Sequence, residues 1–294
     1  MRNSDTLQRF LFEHNNVRGL FVHLNASYAA ISERYDYPLI VRQQLGEALA
    51  ASALLSATIK FSGSLIMQLQ TTGPIQILVA QCNNEHHIRG LARWQDEGLS
   101  ADMANPFGSG RMVITIDSAT SEERYQGVVG IDGGRLNKAV ETYFAQSEQL
   151  QTRLWLAADE QQAVGMLLQH LPDTDTSTDP DPDLWERIEA LGTTLSQSEM
   201  LSLPTEEILY RLFHEESVRL FEAEPISFRC SCSRDKILTM LQALGNDEAH
   251  SIIEEQGNIS VDCDFCNQHY SFDPVDVEQI FASTTPAPGN NSKH

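Results

Sequence analysis

The chain has 294 residues and a formal net charge of −21, from 20 Lys and Arg against 41 Asp and Glu. Such acidity disfavours a general binder of nucleic acid or of an anionic membrane surface, because both depend on clustered basic side chains. Hydrophobic residues make up 41% of the chain and charged residues 21%, which argues against wholesale disorder, and the length suits two domains.

Residues 1–172 are predicted to form an N-terminal α+β domain, a mixed α/β-sheet core. Two helical segments are expected at residues 26–35 and 38–58, the second strongly apolar, and another at residues 136–147. The expected strands have β-rich composition or period-two alternation, bounded by turn residues; they are residues 65–70, 75–82, 87–94, 111–117, 123–131, 153–158 and 164–170.

The composition changes at residues 173–183, where five Asp and two Pro occur in eleven positions. This tract predicts a solvated spacer, and it opens an acidic linker and metastable helical region that we place at residues 173–224. Ser196 and Glu199 fit a capping box at the start of one helix. The helices are amphipathic, and packing on the first domain is their simplest role. Their apolar positions include Trp185, Ile188, Leu191, Leu209, Leu212 and Phe213.

Residues 225–280 are predicted to form a small C-terminal module that contains four of the five cysteines, and residues 281–294 a disordered tail. The chain contains no run of eighteen apolar residues and no apolar signal-peptide region near Met1. We therefore predict a cytoplasmic protein without a membrane partner. Thiols are kept reduced in the cytosol, so these cysteines indicate metal or redox chemistry before structural disulfides.

The four cysteines of the module occur as two close pairs. Cys230 and Cys232 form a CxC motif, and Cys263 and Cys266 form a CxxC motif thirty residues later. Four thiolates arranged in this way are a standard ligand set for one tetrahedral zinc ion. The module is too small to fold well on an apolar core alone, which also favours a metal. An iron–sulfur cluster is disfavoured, because the spacing matches neither common ferredoxin pattern.

The CxC motif and the local charge indicate more than a structural zinc site. Two residues apart in extended backbone, Cα atoms are about 6.6 Å apart. That is close to the upper limit of about 6.8 Å for a disulfide. A bond between Cys230 and Cys232 would therefore be strained and easily reduced, as a reversible switch requires. Residues 225–273 carry eight acidic and three basic side chains, the opposite of a nucleic-acid zinc ribbon.

Other candidates are weaker. His269 is a spare ligand beside four thiolates that already complete a tetrahedron. Cys82 ends an apolar strand and is expected to be buried. The Gly108-Ser109-Gly110 sequence precedes a strand, so it does not fit a phosphate loop. Four thiolates leave no open position on a zinc ion and the CxxC lies outside a βαβ pattern, so we predict that the protein is not an enzyme.

The sequence resembles the redox-regulated bacterial chaperones of the heat-shock protein 33 family over nearly the whole chain. The strongest mark is the arrangement of Cys230, Cys232, Cys263 and Cys266, with no departure at any of the four positions. Supporting matches lie at residues 17–19 (Val-Arg-Gly), 55–63, 124–130, 147–150, 165–169 and 212–216. Cys82 is not part of the family pattern.

The resemblance implies an ATP-independent holdase. In the reduced form the four thiolates hold one Zn²⁺ and the protein is inactive. Oxidants such as hypochlorous acid, or peroxide with heat, convert the pairs to Cys230–Cys232 and Cys263–Cys266 disulfides and expel the zinc. The linker region then unfolds, and the active homodimer binds unfolding client proteins. The six apolar helix positions named above are the candidate client-binding surface.

Overall fold

The structure of the chain, a computed structural model, describes residues 5–59, 62–100, 103–118, 124–132, 135–172 and 181–282. Most of the predicted acidic spacer, at residues 173–180, and of the predicted tail, at residues 283–294, lies outside them. The chain divides into two compact units, Met1–Arg229 and Cys230–His294. Residues 225–229, assigned to the cysteine module from the sequence, therefore lie in the first unit.

The α+β class predicted from the sequence is confirmed. The strands are β1 (Thr6–Phe12), β2 (Val17–Leu24), β3 (Gly63–Thr71), β4 (Ile75–Asn83), β5 (His87–Trp94), β6 (Ser109–Ser118), β7 (Arg124–Asp132), β8 (Thr152–Ala158), β9 (Ala163–His170), β10 (Val218–Leu220), β11 (Glu224–Pro225), β12 (Ser227–Phe228), β13 (Ile259–Asp262) and β14 (His269–Phe272). The helices are α1 (Ala26–Ser32), α2 (Leu39–Thr58), α3 (Leu136–Tyr143), α4 (Leu184–Gly192), α5 (Gln197–Ser202), α6 (Thr205–Phe213), α7 (Arg234–Leu244), α8 (Asn246–Gln256) and α9 (Pro274–Ala282).

The first unit contains two sheets with α2 between them. One sheet has the order β10-β1-β2-β9-β8, and the other β12-β5-β4-β3-β6-β7. α2 contacts strands of both sheets and is buried over most of its length. A helix enclosed in this way must be apolar on nearly all sides, which is why its sequence is apolar without a clear polar face. Within the described residues, no helix is both long and apolar enough to cross a bilayer.

The hairpin of β1 and β2 was not predicted from the sequence. β2 is a central strand buried on both faces, with Leu20 and Val22 in one apolar cluster and Phe21 in the other. It therefore lacks the period-two alternation that marks a half-exposed strand. Gly19 pairs with Phe10 on β1, and a Cβ at Gly19 would lie only 2.0 Å from the Phe10 ring. Because Gly19 has no side chain, the Phe10 ring can lie directly against the backbone of β2.

Helices α4, α5 and α6 cover the outer face of the first sheet. The predicted capping box at Ser196 and Glu199 is present. Arg153 on β8 pairs with Glu189 on α4 at 2.5 Å, and Arg187 pairs with Glu216 at 2.7 Å. The helices and the sheet share one apolar cluster, so packing on the first domain, the simplest role predicted from the sequence, is what the structure has.

The second unit is small. It contains α7 and α8, the antiparallel hairpin β13–β14, and α9. Its buried apolar cluster consists of Ile237, Leu241, Ala249, Ile259, Phe272, Val277 and Ile280. A core of this size contributes little to the free energy of folding, so the unit needs a further stabilising interaction beyond apolar packing.

Candidate metal centre

The two cysteine pairs occupy two loops of the second unit. Cys230 and Cys232 come just before α7, whose N-cap, Ser233, accepts a hydrogen bond from the backbone N–H of Lys236 at 3.3 Å. Cys263 and Cys266 lie in the loop that joins β13 to β14. A helix start and a hairpin turn thus each present one pair of thiols.

All four sulfur atoms lie together in one cluster. The Sγ atoms lie within 4.8 Å of one another and are half-buried. The distance is 3.6 Å between the Sγ atoms of Cys230 and Cys263, and 3.4 Å between those of Cys232 and Cys266. A tetrahedral zinc with bonds of about 2.3 Å would place its sulfurs about 3.8 Å apart, so the arrangement fits such an ion. Sequence reasoning named all four residues, and the structure brings all four together.

The hairpin turn sets the position of the CxxC pair. The backbone N–H of Cys263 donates to the carbonyl of Gln268 at 3.0 Å. The carbonyl of Cys263 in turn accepts from the N–H groups of Cys266, at 3.2 Å, and Asn267, at 2.8 Å. Asn267 has a φ of 58°, in the left-handed region that Asn tolerates better than most residues. The turn therefore directs two thiols to the same side of the hairpin.

Two side chains outside the motifs support the site. The Nζ of Lys236 donates to the carbonyl of Ser231 at 2.7 Å, which holds the backbone between Cys230 and Cys232. The hydroxyl of Tyr270 on β14 donates to the Sγ of Cys232 at 3.3 Å. Sequence reasoning missed both, because the spacing of cysteines does not show which neighbouring side chains reach them.

The thiols have unequal proton affinities. Burial raises the pKa of Cys263 and of Cys266, and for Cys266 the thiols of Cys232, Cys230 and Cys263 raise it further. Burial also acts to raise the pKa of Cys230, but hydrogen bonds from the Cys232 backbone and from the other thiols outweigh it and lower that pKa to about 7. The thiolate of Cys230 therefore forms readily, while Cys263 and Cys266 resist a second charge. A bound dication removes that conflict, because coordinated thiols are deprotonated.

The spare candidates lie elsewhere. Nδ1 of His269 is 2.7 Å from Oδ1 of Asp262, and His269 is not in the thiol cluster. Cys82 is fully buried in the first unit, as predicted, where the hydroxyl of Ser56 donates to its sulfur at 3.1 Å. Burial raises the pKa of the Cys82 thiol to about 11, so it remains protonated at neutral pH.

The candidate client-binding residues are covered in this structure. Ile188, Leu209, Leu212 and Phe213 are buried, and Trp185 and Leu191 are partly buried against the same cluster. The ring of Phe213 lies edge-on to that of Phe12 on β1, with centroids 5.2 Å apart. These side chains can meet another protein only if the helices leave the sheet.

Comparisons with family models, with known sequences and with solved structures all indicate the same protein family. The family model described as Hsp33 protein matches residues 5–273. The 33 kDa chaperonin of Nitrosococcus oceani is 53% identical and that of Methylobacillus flagellatus 43% identical, each covering 100% of both chains. A solved structure of the 33 kDa chaperonin, a heat shock protein 33 homolog, from Thermotoga maritima has a TM-score of 0.80 at 23% identity. It covers 95% of this chain and 99% of that chain, and at such identity it shows the fold alone.

Proposed function

This chain belongs to the Hsp33 protein family, and from that premise we propose that it is a redox-regulated, ATP-independent chaperone of the cytoplasm rather than an enzyme. Its partners are unfolding client proteins and, once activated, a second copy of itself. The observation that carries the proposal is the cluster of four thiols within 4.8 Å. The same four sulfur atoms that suit a metal ion are also the atoms that an oxidant attacks.

The resting state holds one Zn²⁺ on Cys230, Cys232, Cys263 and Cys266. Bound zinc supplies charge neutralisation for the thiolates and a link between two loops that are distant in sequence. Lys236 holds the backbone of the first loop, and Tyr270 donates a hydrogen bond to one of the sulfurs. Both contacts orient the ligands, as outer residues commonly do at metal sites.

Activation is a thiol oxidation. Each pair of thiolates loses two electrons to form one S–S bond, and hypochlorous acid or hydrogen peroxide takes up those electrons. The Zn²⁺ that the four thiolates would hold is then released. We expect bonds between Cys230 and Cys232 and between Cys263 and Cys266. Sulfurs of different pairs are also close together in the assembled site, at 3.6 and 3.4 Å. Once the metal leaves, however, the thirty-residue loop between the pairs opens, and only the local partners stay near each other.

Metal loss then becomes unfolding. A structural zinc contributes roughly 10–16 kcal/mol at neutral pH. A whole domain is stable by only about 5–15 kcal/mol, and the second unit has a small apolar core. Oxidation should therefore unfold this unit rather than loosen it.

In this proposal, helices α4 to α6 detach from the sheet after the second unit unfolds. Each has six to nine residues, below the roughly 12–15 at which an isolated helix becomes stable, so they depend on packing. If they detach, a contiguous apolar surface becomes exposed to bind clients or a second copy. That surface comprises Trp185, Ile188, Leu191, Leu209, Leu212 and Phe213. The net charge of −21 would keep the loaded complex soluble.

One experiment tests the whole proposal. Zinc release and suppression of citrate synthase aggregation are measured together while reduced protein is oxidised. The expected result is one zinc per chain at the start, and a chaperone activity that rises as zinc is released. A Cys82→Ser variant is the matched control and should behave as the parent does. Zinc that leaves without any gain of activity, or full activity in the reduced protein, would contradict the proposal.

A further inference from the structure

A cavity of about 210 Å³ lies in the first unit, and none of its lining residues belongs to the thiol cluster. Two segments on which the family resemblance rests, residues 17–19 and 55–63, contribute to it through Arg18 and Ala57. Arg18 on β2 and Arg9 on β1 lie on the same face of the sheet at diagonal positions, because Arg9 pairs with Leu20. The thiol switch uses none of these residues.

Arg18 is a half-buried cation without an anionic partner. Its Nε donates to Oε1 of Gln169 at 3.0 Å, and its Nη2 donates to the same oxygen at 2.5 Å and to the carbonyl of Thr58 at 3.0 Å. Both acceptors are neutral, and no described carboxylate pairs with this guanidinium. Burial lowers the pKa of Arg18, and the charge of Arg9 lowers it further. A buried charge left in this state is costly unless a counterion joins it.

The carboxylate that pairs with Arg9 is shared with a second partner. Glu224 accepts from Arg9 through Oε1, while its Oε2 lies 2.8 Å from Nε2 of His86. Two guanidinium groups therefore line the cavity, Glu224 neutralises that of Arg9, and the positive charge of Arg18 remains. The rest of the wall is apolar and includes Leu11, Leu20, Ala57 and Phe221.

We propose that this cavity binds a small amphiphilic carboxylate. Its carboxylate accepts hydrogen bonds from Arg18, and its short hydrocarbon chain lies against Ala57 and Phe221. A molecule of water occupies about 30 Å³ in the liquid, so the cavity has room for about seven or eight non-hydrogen atoms. The apolar wall favours a carboxylate with a chain over a fully hydrated inorganic anion. The proposal does not depend on the thiol switch.

Binding would act on the segment that leads from α6 to the cysteines. The backbone N–H of Phe221 donates to the carbonyl of Arg9 at 2.9 Å, and the guanidinium of Arg219 lies 5.6 Å from the Phe221 ring centroid. The Phe221 side chain is 42% exposed, so a ligand can cover it. A bound carboxylate should therefore slow hydrogen exchange at residues 218–221.

Titration calorimetry of the full-length, zinc-loaded protein with hexanoate tests the proposal. Saturable binding of one hexanoate per chain is expected, with hexanol and hexylamine at least tenfold weaker because neither offers a carboxylate to Arg18. An Arg18→Gln variant should bind hexanoate at least tenfold more weakly. The matched control is Arg111→Gln, since exposed Arg111 also donates to a glutamine, Gln70, at 2.6 Å but lies outside the cavity.

A second variant covers the case in which Arg18→Gln fails to fold. Ala57→Leu keeps both arginines but fills the cavity, and it should abolish hexanoate binding and the added protection at residues 218–221. Absence of saturable binding to the parent protein would overturn the proposal. So would equal binding by the parent, Ala57→Leu and folded Arg18→Gln, or equal binding of hexanol and hexanoate.

Discussion

The hydroxyl of Tyr270 donates a hydrogen bond to the sulfur of Cys232, 38 positions earlier in the chain, over 3.3 Å. A donor to a thiolate stabilises its charged form, which is the form that binds a metal. The contact also raises the pKa of the Tyr270 hydroxyl to about 12, so this group remains a donor across the physiological range. A residue outside both cysteine motifs thus helps to set the properties of the site.

Replacing Tyr270 by Phe should weaken zinc binding about tenfold, because the variant removes a single donor to a ligand and leaves all four sulfurs. Competition with a chromophoric chelator measures the affinity. Tyr210→Phe is the control, since Tyr210 is 70% exposed on α6 and far from any cysteine in sequence. Unchanged affinity in Tyr270→Phe would show that the hydrogen bond has no role in metal binding.

Replacing Cys263 by Ser should reduce the bound zinc from one per chain to near zero, because three thiolates no longer complete the tetrahedral set. Residues 230–282 should then lose protection from hydrogen exchange, since the unit keeps only its small apolar core. Metal analysis and hydrogen exchange check the two parts. Cys82→Ser, which removes a buried thiol of the first unit, should retain full zinc. A zinc-loaded Cys263→Ser protein would refute the assignment.

Peptide mapping after oxidation should find two bonds, Cys230–Cys232 and Cys263–Cys266, with the Cys82 thiol intact. Local partners are favoured once the metal has left and the intervening loop is open. The resting geometry supplies a clear competing outcome, because Cys230 lies 3.6 Å from Cys263 and Cys232 lies 3.4 Å from Cys266. Dominant bonds of that second kind would mean that oxidation occurs inside the assembled site.

Replacing Phe213 by Ala should destabilise the packing of α6 on the sheet by about 3–5 kcal/mol, because the buried ring leaves a cavity beside Phe12. Reduced protein should then show partial chaperone activity and faster hydrogen exchange over residues 184–213. Tyr210→Ala on the exposed side of the same helix is the control for helix propensity. If Phe213→Ala is stable and inactive when reduced, detachment of these helices is not the activating step.

Acid should weaken the first unit through His23 on β2. Burial lowers the pKa of this imidazole to about 4, and the charge of Glu206 on α6 opposes only part of that shift. An unfolded histidine titrates near 6.5, so between pH 6.5 and 4 the unfolded chain takes up a proton that the folded chain does not. The free energy of unfolding that neutral His23 supports above pH 6.5 therefore decreases by about 3 kcal/mol as the pH falls from 6.5 through 4.

Urea unfolding at pH 7.5 and at pH 4.5 measures this loss. Tryptophan fluorescence reports it selectively, because Trp94, Trp155 and Trp185 all lie in the first unit. His23→Gln should show a smaller difference between the two pH values than the parent. An equal difference in both proteins would assign the acid sensitivity to other groups.

Much of the secondary structure could be predicted from local patterns. The apolar run of α2, the capping box of α5 and the strands from β3 to β9 lie where the sequence places them, within a few residues. The hairpin of β1 and β2 could not be found in this way, since β2 is buried on both faces and shows no alternation. Arg18 was noted only as part of a family motif, because a sequence does not show that a cation lacks a counterion.

The sequence by itself determined the chemistry of the candidate centre: four thiols in two short pairs, in an acidic module with too few apolar residues for a large core. The short spacing within each motif is enough to predict that its two thiols are near each other, because residues two or three apart in the chain are always close. Only the tertiary structure decided that Cys230 and Cys263 meet, since that contact depends on how the hairpin and the start of α7 pack together. It also decided that the apolar stripe of α6 is covered by β1, because a stripe shows that a face is apolar but not what buries it.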